Sequence, residues 1–255
     1  MSIKDEFISS FFYFRDIIVF GEDRMIDKNI YDSMTDEEFI EFLRNKYQGV
    51  NSNEGLIIRR FLKIYDKLNR DELTGLYNRK AIINYFWNYL NSDNNKYKSN
   101  LFSLVTIDLD HFKSINDTYG HNVGDDALKI VSEGMIRYFR KKDLIVRDGG
   151  DEFLIVVLNC PIDILNYKTK EMSDYITNSI HKDLDSKMDE YGNFINRPHD
   201  YTISYGIKEM DLNNLEYCST FEEFKNVFPD WFKEEKGYAD DYAFEMKQSH
   251  HAVRK

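Results

Sequence analysis

The feature that most constrains the fold of this chain is Gly149-Gly150, a glycine pair set between two apolar runs. Asp143 to Val146 and Glu152 to Leu158 are rich in Leu, Ile, Val and Phe, and two such runs joined through glycines read as an antiparallel β-hairpin. Further strands are predicted over Leu101 to Asp108 (LFSLVTID) and Tyr201 to Ile207, and helices over residues 79–91, roughly 124–140, about 163–185, and the tail from Gly237. Strands that alternate with helices favour parallel neighbours, whereas the hairpin forces an antiparallel pair. The expected fold class is therefore an α/β (α+β) sandwich, a mixed sheet flanked by helices.

Residues 1–68 differ from this pattern and are expected to form a small helical N-terminal region ahead of an α/β domain over 69–255. Thr35-Asp36-Glu37-Glu38 has the spacing of a capping box ahead of Phe39, Ile40, Phe42 and Leu43. In the next helix Ile57, Phe61, Ile64, Tyr65 and Leu68 form a stripe. That stripe suits packing against the N-terminal helices and equally suits a dimer-forming signalling helix, and so short a pattern does not establish a coiled coil. No phosphoacceptor, haem or flavin signature stands in this region. Residues 91–100 (NSDNNKYKSN) are a polar loop.

Composition excludes several function classes. Hydrophobic residues at 42% and charged residues at 31% describe a globular chain, and only three prolines interrupt it. A formal net charge of −11 argues against non-specific binding to nucleic acid or to an anionic membrane. The apolar stretch from Ile8 to Phe20 carries Arg15 and Asp16 and is too short to span a bilayer. Cys160 and Cys218 have no metal-ligand spacing and suit free thiols in a reducing compartment, so a cytoplasmic location is expected.

The chemistry concentrates in acidic residues at strand ends. The strand ending at Asp108 continues into Leu109 and Asp110, and the hairpin turn carries Asp151 and Glu152. Carboxylates placed so can share hard cations, which stabilise charge on a transferring phosphoryl group. Gly149 and Gly150 let backbone approach a nucleotide closely. Each piece alone has a plainer reading: Asp-x-Asp is common, Gly-Gly often only makes a turn, and an acidic turn is often only solvated.

Five ordered motifs over about residues 70–250 narrow these readings. Gly149-Gly150-Asp151-Glu152-Phe153 is the signature of the GGDEF family of diguanylate cyclases, and Asp71-Glu72-Leu73-Thr74-Gly75-Leu76-Tyr77-Asn78-Arg79 resembles that family's opening segment. Asp108-Leu109-Asp110-His111-Phe112-Lys113, with Asn116-Asp117, Gly120-His121 and Gly124-Asp125, is similar to its metal and nucleotide block. Thr202-Ile203-Ser204-Tyr205-Gly206 resembles its late strand, and Ala239-Asp240 through Phe244 to Lys247 its closing helix.

The resemblance implies a nucleotidyl-cyclase-like fold and the condensation of two GTP into cyclic di-GMP and pyrophosphate across a homodimer. It implies Mg²⁺, with Mn²⁺ able to substitute, on Asp108, Asp151 and the carbonyl of Leu109, with Glu152 as a further ligand or catalytic carboxylate. Asn116 and Asp125 would read guanine, since an ionised carboxylate accepts from the guanine N1–H and amino group. Lys113 and Lys247 would contact phosphates, although either also reads as an ordinary surface lysine. Phe112, Gly149 and Gly150 would border the nucleotide. Arg140 and Asp143 resemble the family's RxxD inhibitory site for the product; their plainer reading is a helix C-terminus followed by a strand start.

Two departures stand out. The family's Gly-Arg-Asn run after Lys247 is replaced by Gln248-Ser249-His250-His251, leaving Arg254 three residues late as a substitute for a phosphate-binding arginine. Asp148 occupies a position that is often apolar or aromatic, where it is expected to weaken GTP binding or join the metal shell. The rival to the enzyme is a catalytically weak or inactive receptor module that binds GTP or cyclic di-GMP; the survival of Asp108, Asp151, Glu152, Asn116 and Asp125 favours the enzyme.

Overall fold

The structure is a computed structural model that describes residues 36–47, 49, 52–91, 101–188, 191–215 and 217–252. The stretch at 8–20, the Thr35 capping box, most of the 91–100 loop and Arg254 lie outside the described residues. The chain divides into two compact units between Asp66 and Lys67.

In the first unit, α1 (Asp36–Lys46) and the greater part of α2 (Asn53–Asn69) bury Ile40 and Leu43 against Ile58, Phe61 and Leu62. The expected stripe holds at Phe61 and Tyr65, but Ile58 and Leu62 complete the packed face, while Ile57 and Ile64 are exposed, Ile57 by 57%. Ile57 sits one position, or 100° of helix, from the centre of that face.

The second unit is built on a five-stranded mixed sheet in the order β1-β3-β4-β2-β5. Its elements are β1 (Tyr77–Asn78), α3 (Arg79–Asn91), β2 (Leu101–Leu109), α4 (Phe112–Tyr119), α5 (His121–Tyr138), β3 (Leu144–Gly149), β4 (Glu152–Leu158), α6 (Ile162–Leu184), β5 (Ile203–Asp211) and α7 (Phe221–Ala252). β1 runs parallel to β3, and the β3–β4, β4–β2 and β2–β5 pairs are antiparallel. The predicted mixed sheet and its hairpin are thus present.

Both faces of the sheet are covered, which is why β2 and β4 read as nearly continuous apolar runs. Val105, Ile107, Phe153 and Ile155 pack under α5 and α6, whereas Phe102, Leu104, Leu154 and Val156 pack under α3 and α7. On the second face the chain's many phenylalanines form one cluster, with Phe86 centred 5.1 Å from both Phe102 and Phe228.

The elements differ from expectation at several places, and β1 and the extension of β3 to Gly149 are the smallest. The 112–119 segment is a helix of its own, set off by Gly120 (φ 87), and α5 starts at His121. β5 starts at Ile203 and runs on to Asp211. The closing helix starts at Phe221, not Gly237, and continues through Pro229. A proline deletes one ladder hydrogen bond, but Phe224, Phe228 and Phe232 are buried on the sheet, and their burial at roughly 1.5–3 kcal/mol each outweighs the loss.

One close contact sets where α7 lies. A Cβ on Gly206 would stand 1.9 Å from the carbonyl oxygen of Ala239, so only glycine lets the α7 backbone rest on β5.

Candidate functional site

Register places the acidic residues. Asp108, the penultimate residue of β2, is the cross-strand partner of Glu152 on β4 and of Ser204 on β5. Direct cross-strand partners project to the same face, and for Asp108 and Glu152 that face is the one covered by α7. Between sheet and helix lies a cleft of about 320 Å³ lined by Asp108, Glu152, Lys236, Asp240, Asp241 and Lys247, with apolar walls that include Ala243 and Phe244.

Lys247 donates from Nζ to Asp108 Oδ1 and stands 3.9 Å from Asp110. Burial pushes the Asp108 carboxyl up; the Lys247 ammonium opposes this, and the charges of Asp151 and Asp110 add to the rise. Burial works to lower Lys247, but its hydrogen bond and attraction to Asp108 outweigh it and hold the ammonium above its ordinary range. The Leu109 amide donates to the Asp151 carbonyl at 3.4 Å, so the hairpin turn is tied back to the end of β2.

The donor chemistry here, neighbouring carboxylates beside a strand-end carbonyl, suits a hard divalent cation. Among the described residues, no three His, Cys, Asp or Glu groups already converge on a single metal position.

Asp110 follows β2 and is buried. It accepts from Thr202 Oγ1 at 2.6 Å and Ser204 Oγ at 2.9 Å, and His250 Nδ1 lies 2.9 Å away. Its role is to join β2, β5 and the last turns of α7. His250, which reads as a departure in the sequence, thereby anchors the helix that carries Lys247.

The hairpin is held from both sides. Gly150 adopts φ +52, and an added Cβ at Gly149 or Gly150 meets nothing within 4 Å, so the turn is open above. Beneath it, Arg147 donates to the Gly150 carbonyl from Nε and Nη2 at 3.0 and 2.8 Å, and to Asp71 from Nη1 at 3.0 Å.

Other residues named from sequence gather on α4 and α5 and do not line this cleft. Gly124 lies so close to Asn116 that a Cβ there would stand 2.0 Å from Asn116 Oδ1, and Phe112 borders the same point. This packing sets Asn116 beside the turn of α5 that carries Asp125; both are partly exposed, and Lys113 is exposed. Arg140 is exposed, but Asp143 is 5% exposed and its Oδ2 accepts from the Arg140 amide at 2.8 Å. Asp148 does not line the cleft: its carboxylate is held by Arg79 through two hydrogen bonds of 2.6 and 2.7 Å.

Sequence reasoning missed Lys236 and Arg147, and it named Asp110 without its link to Thr202, Ser204 and His250. Lys236 lies in an unmarked acidic-basic stretch of α7, and only helix packing reveals that it enters the cleft. Arg147 lies two residues before the glycine pair, a position that suggests a role only once Asp71 is known to be near.

Residues 68–220 match the family model described as "Diguanylate cyclase, GGDEF domain". The probable diguanylate cyclase DgcT of Escherichia coli K12 is 33% identical over 147 residues, 58% of this chain and 30% of the relative. The probable diguanylate cyclase DgcC of the same strain is 40% identical over 94 residues, 37% of this chain and 25% of that one. The chain thus spans under a third of the length of these relatives. The structure of diguanylate cyclase SiaD from Pseudomonas aeruginosa, solved with its activator SiaC, superposes with a TM-score of 0.50 at 21% identity, over 97% of this chain and 82% of that one. At that identity the likeness concerns the fold alone. No described helix is long and apolar enough to cross a membrane. With the family model covering more than half of the chain and the GGDEF hairpin formed at the mouth of the cleft, this protein belongs to the GGDEF diguanylate cyclase domain family.

Proposed function

We propose that the protein is a diguanylate cyclase that condenses two GTP into cyclic di-GMP and two pyrophosphates. The observation that carries this reading is the pairing of Asp108 with Glu152 across β2 and β4, beside the Lys247 ammonium, in one cleft. Mg²⁺, for which Mn²⁺ can substitute, would be held by Asp108, Asp151, the Leu109 carbonyl and Glu152, and when bound it supplies Lewis-acid stabilisation of phosphoryl charge.

The chain's own residues bind and orient. Asn116 and Asp125 take the guanine edge, where the carboxylate accepts from N1–H and the amino group; adenine lacks that pair of donors. Lys113 and Lys247 engage phosphates, and the open turn at Gly149 and Gly150 admits the nucleotide beside Phe112. The 3′-hydroxyl of one GTP attacks the α-phosphorus of the other while pyrophosphate leaves, so two half-sites must face each other in a homodimer. Arg140 and Asp143 serve as the inhibitory site for the product, and the protein works in the cytoplasm.

Purified protein, stripped of bound nucleotide, is incubated with Mg²⁺ and GTP or ATP, and the products are identified by mass spectrometry. Cyclic di-GMP is expected from GTP alone, with loss in Asp151→Ala and Glu152→Ala. Retained binding of GTP or cyclic di-GMP with no product would establish the receptor module instead.

A further inference from the structure

We propose that Lys236 is a positioning residue that, through the buried carboxylate of Asp148, locks the hairpin carrying Asp151 and Glu152 onto α7. Arg147 pairs with Phe153 and Gly149 with Glu152, so Asp148 is the extra residue of a β-bulge. A bulge releases one residue from the ladder and re-aims its side chain. Here the released side chain turns inward: the Asp148 carboxylate is 1% exposed.

A buried carboxylate is retained only when paired. Asp148 has two cations: Arg79 from α3 by two hydrogen bonds, and Lys236 from α7 with Nζ at 3.6 Å. They are not equivalent. Arg79 is 68% exposed, so solvent screens its charge, whereas Lys236 is 18% exposed and lines the cleft.

Lys236 also stands 3.8 Å from Glu152 Oε2 and donates to Asp240 Oδ2 at 2.8 Å. Its ammonium therefore touches both flanks of the Gly149-Gly150 turn and its own helix. Burial acts to lower its proton affinity, but the hydrogen bond to Asp240 and the charges of Asp240, Asp148 and Glu152 outweigh this and keep it cationic. Glu152 is half exposed, so its direct contact with Lys236 contributes little. The restraint on the hairpin runs through Asp148.

The positioning role rests on the cyclase reading above; the charge clasp itself does not. Two readouts separate them: hydrogen–deuterium exchange of the hairpin amides at 149–153 without nucleotide, and cyclic di-GMP formation. Lys236→Met should speed hairpin exchange about tenfold. It should lower kcat about tenfold and leave the GTP KM within about twofold. Lys236→Arg should keep both readouts within about threefold of wild type, because the charge is conserved. Asp148→Leu should behave like Lys236→Met, and the double variant Asp148→Leu/Lys236→Leu, which replaces the buried pair by an apolar one, should recover both to within about threefold.

Unchanged hairpin exchange in Lys236→Met, or a double variant no better than the worse single, overturns the clasp. Faster exchange with unchanged kcat overturns the positioning role. If the wild-type protein forms no product, the cyclase reading fails while the exchange series still decides the clasp.

Discussion

Arg147 and Asp71 form an ion pair at 3.0 Å that connects the opening turn of the α/β unit to the GGDEF hairpin. Asp71 already organises that turn, accepting from the Thr74 amide and hydroxyl, and the same Arg147 holds the Gly150 carbonyl. Burial works to raise the Asp71 carboxyl, but hydrogen bonds from Thr74 and then from Arg147 outweigh it and hold it below the ordinary range. Its folded proton affinity is depressed, so its stabilisation is present above the unfolded carboxylate value of about 3.9 and is lost as pH falls through the folded value. Arg147→Met should cost about 1–3 kcal/mol at neutral pH. Urea denaturation at pH 7 and pH 3 should show the deficit shrinking in acid; an equal deficit at both would exclude the pair as its source.

Two glycines are predicted to differ in cost because of what stands against them. At Gly206 an added Cβ meets a backbone carbonyl of α7, which cannot move without the helix. At Gly124 it meets the end of the Asn116 side chain, which can rotate away. Gly206→Ala should therefore destabilise by about 3 kcal/mol or fail to fold, against about 1 kcal/mol for Gly124→Ala. Gly124→Ala should instead weaken GTP binding by displacing Asn116, measured by calorimetry with Ca²⁺ in place of Mg²⁺. Unchanged GTP affinity would remove Asn116 from the guanine site.

Asp143 should limit stability near neutrality. Burial raises its carboxyl, the Arg140 amide and nearby lysines and arginine oppose this, and Oδ1 has no hydrogen-bond partner. A folded proton affinity above the unfolded one means that stability from this group is fullest below about pH 3.9 and is lost as pH rises through the folded value. Asp143→Asn keeps an acceptor for Arg140 and removes the charge, so thermal unfolding at pH 7 should rise by a few degrees, about 1 kcal/mol. No gain at pH 7, or an equal gain at pH 3, would contradict the sign.

Lys247 and a divalent cation are predicted to compete for the Asp108 carboxylate. Lys247→Met should bind Mn²⁺ several-fold more tightly without nucleotide, because an ammonium no longer has to be displaced. The same variant should form cyclic di-GMP about a hundredfold more slowly. Weaker Mn²⁺ binding in the variant would mean that Lys247 supports the metal site rather than opposing it.

The sequence by itself determined the elements whose signals are local. Gly149-Gly150 between apolar runs specified the hairpin, and the β-branched run into Asp108 specified the strand that accompanies it. Asp108 and Glu152 of the cleft were legible because they sit at strand ends, where a linear pattern ends at a definite residue. The 112–119 helix escaped notice because eight residues carry too little periodicity, and its separation from α5 depends on one glycine at φ 87. Pro229 read as an interruption since a proline's local cost is visible in sequence, while the burial of Phe224, Phe228 and Phe232 is not.

Only the tertiary structure decided the electrostatics. Asp148 looks like an unwanted charge beside Asp151 and Glu152 until the bulge turns it inward onto Arg79 and Lys236, which lie 69 and 88 positions away in the chain. His250 looks like a lost motif until α7 brings it to Asp110, 140 positions earlier. Pattern and propensity act over a few residues, so a single chain reports them directly. Charge pairing and close backbone approach depend on distances in space, and those exist only once the sheet register and the seat of α7 on Gly206 are fixed.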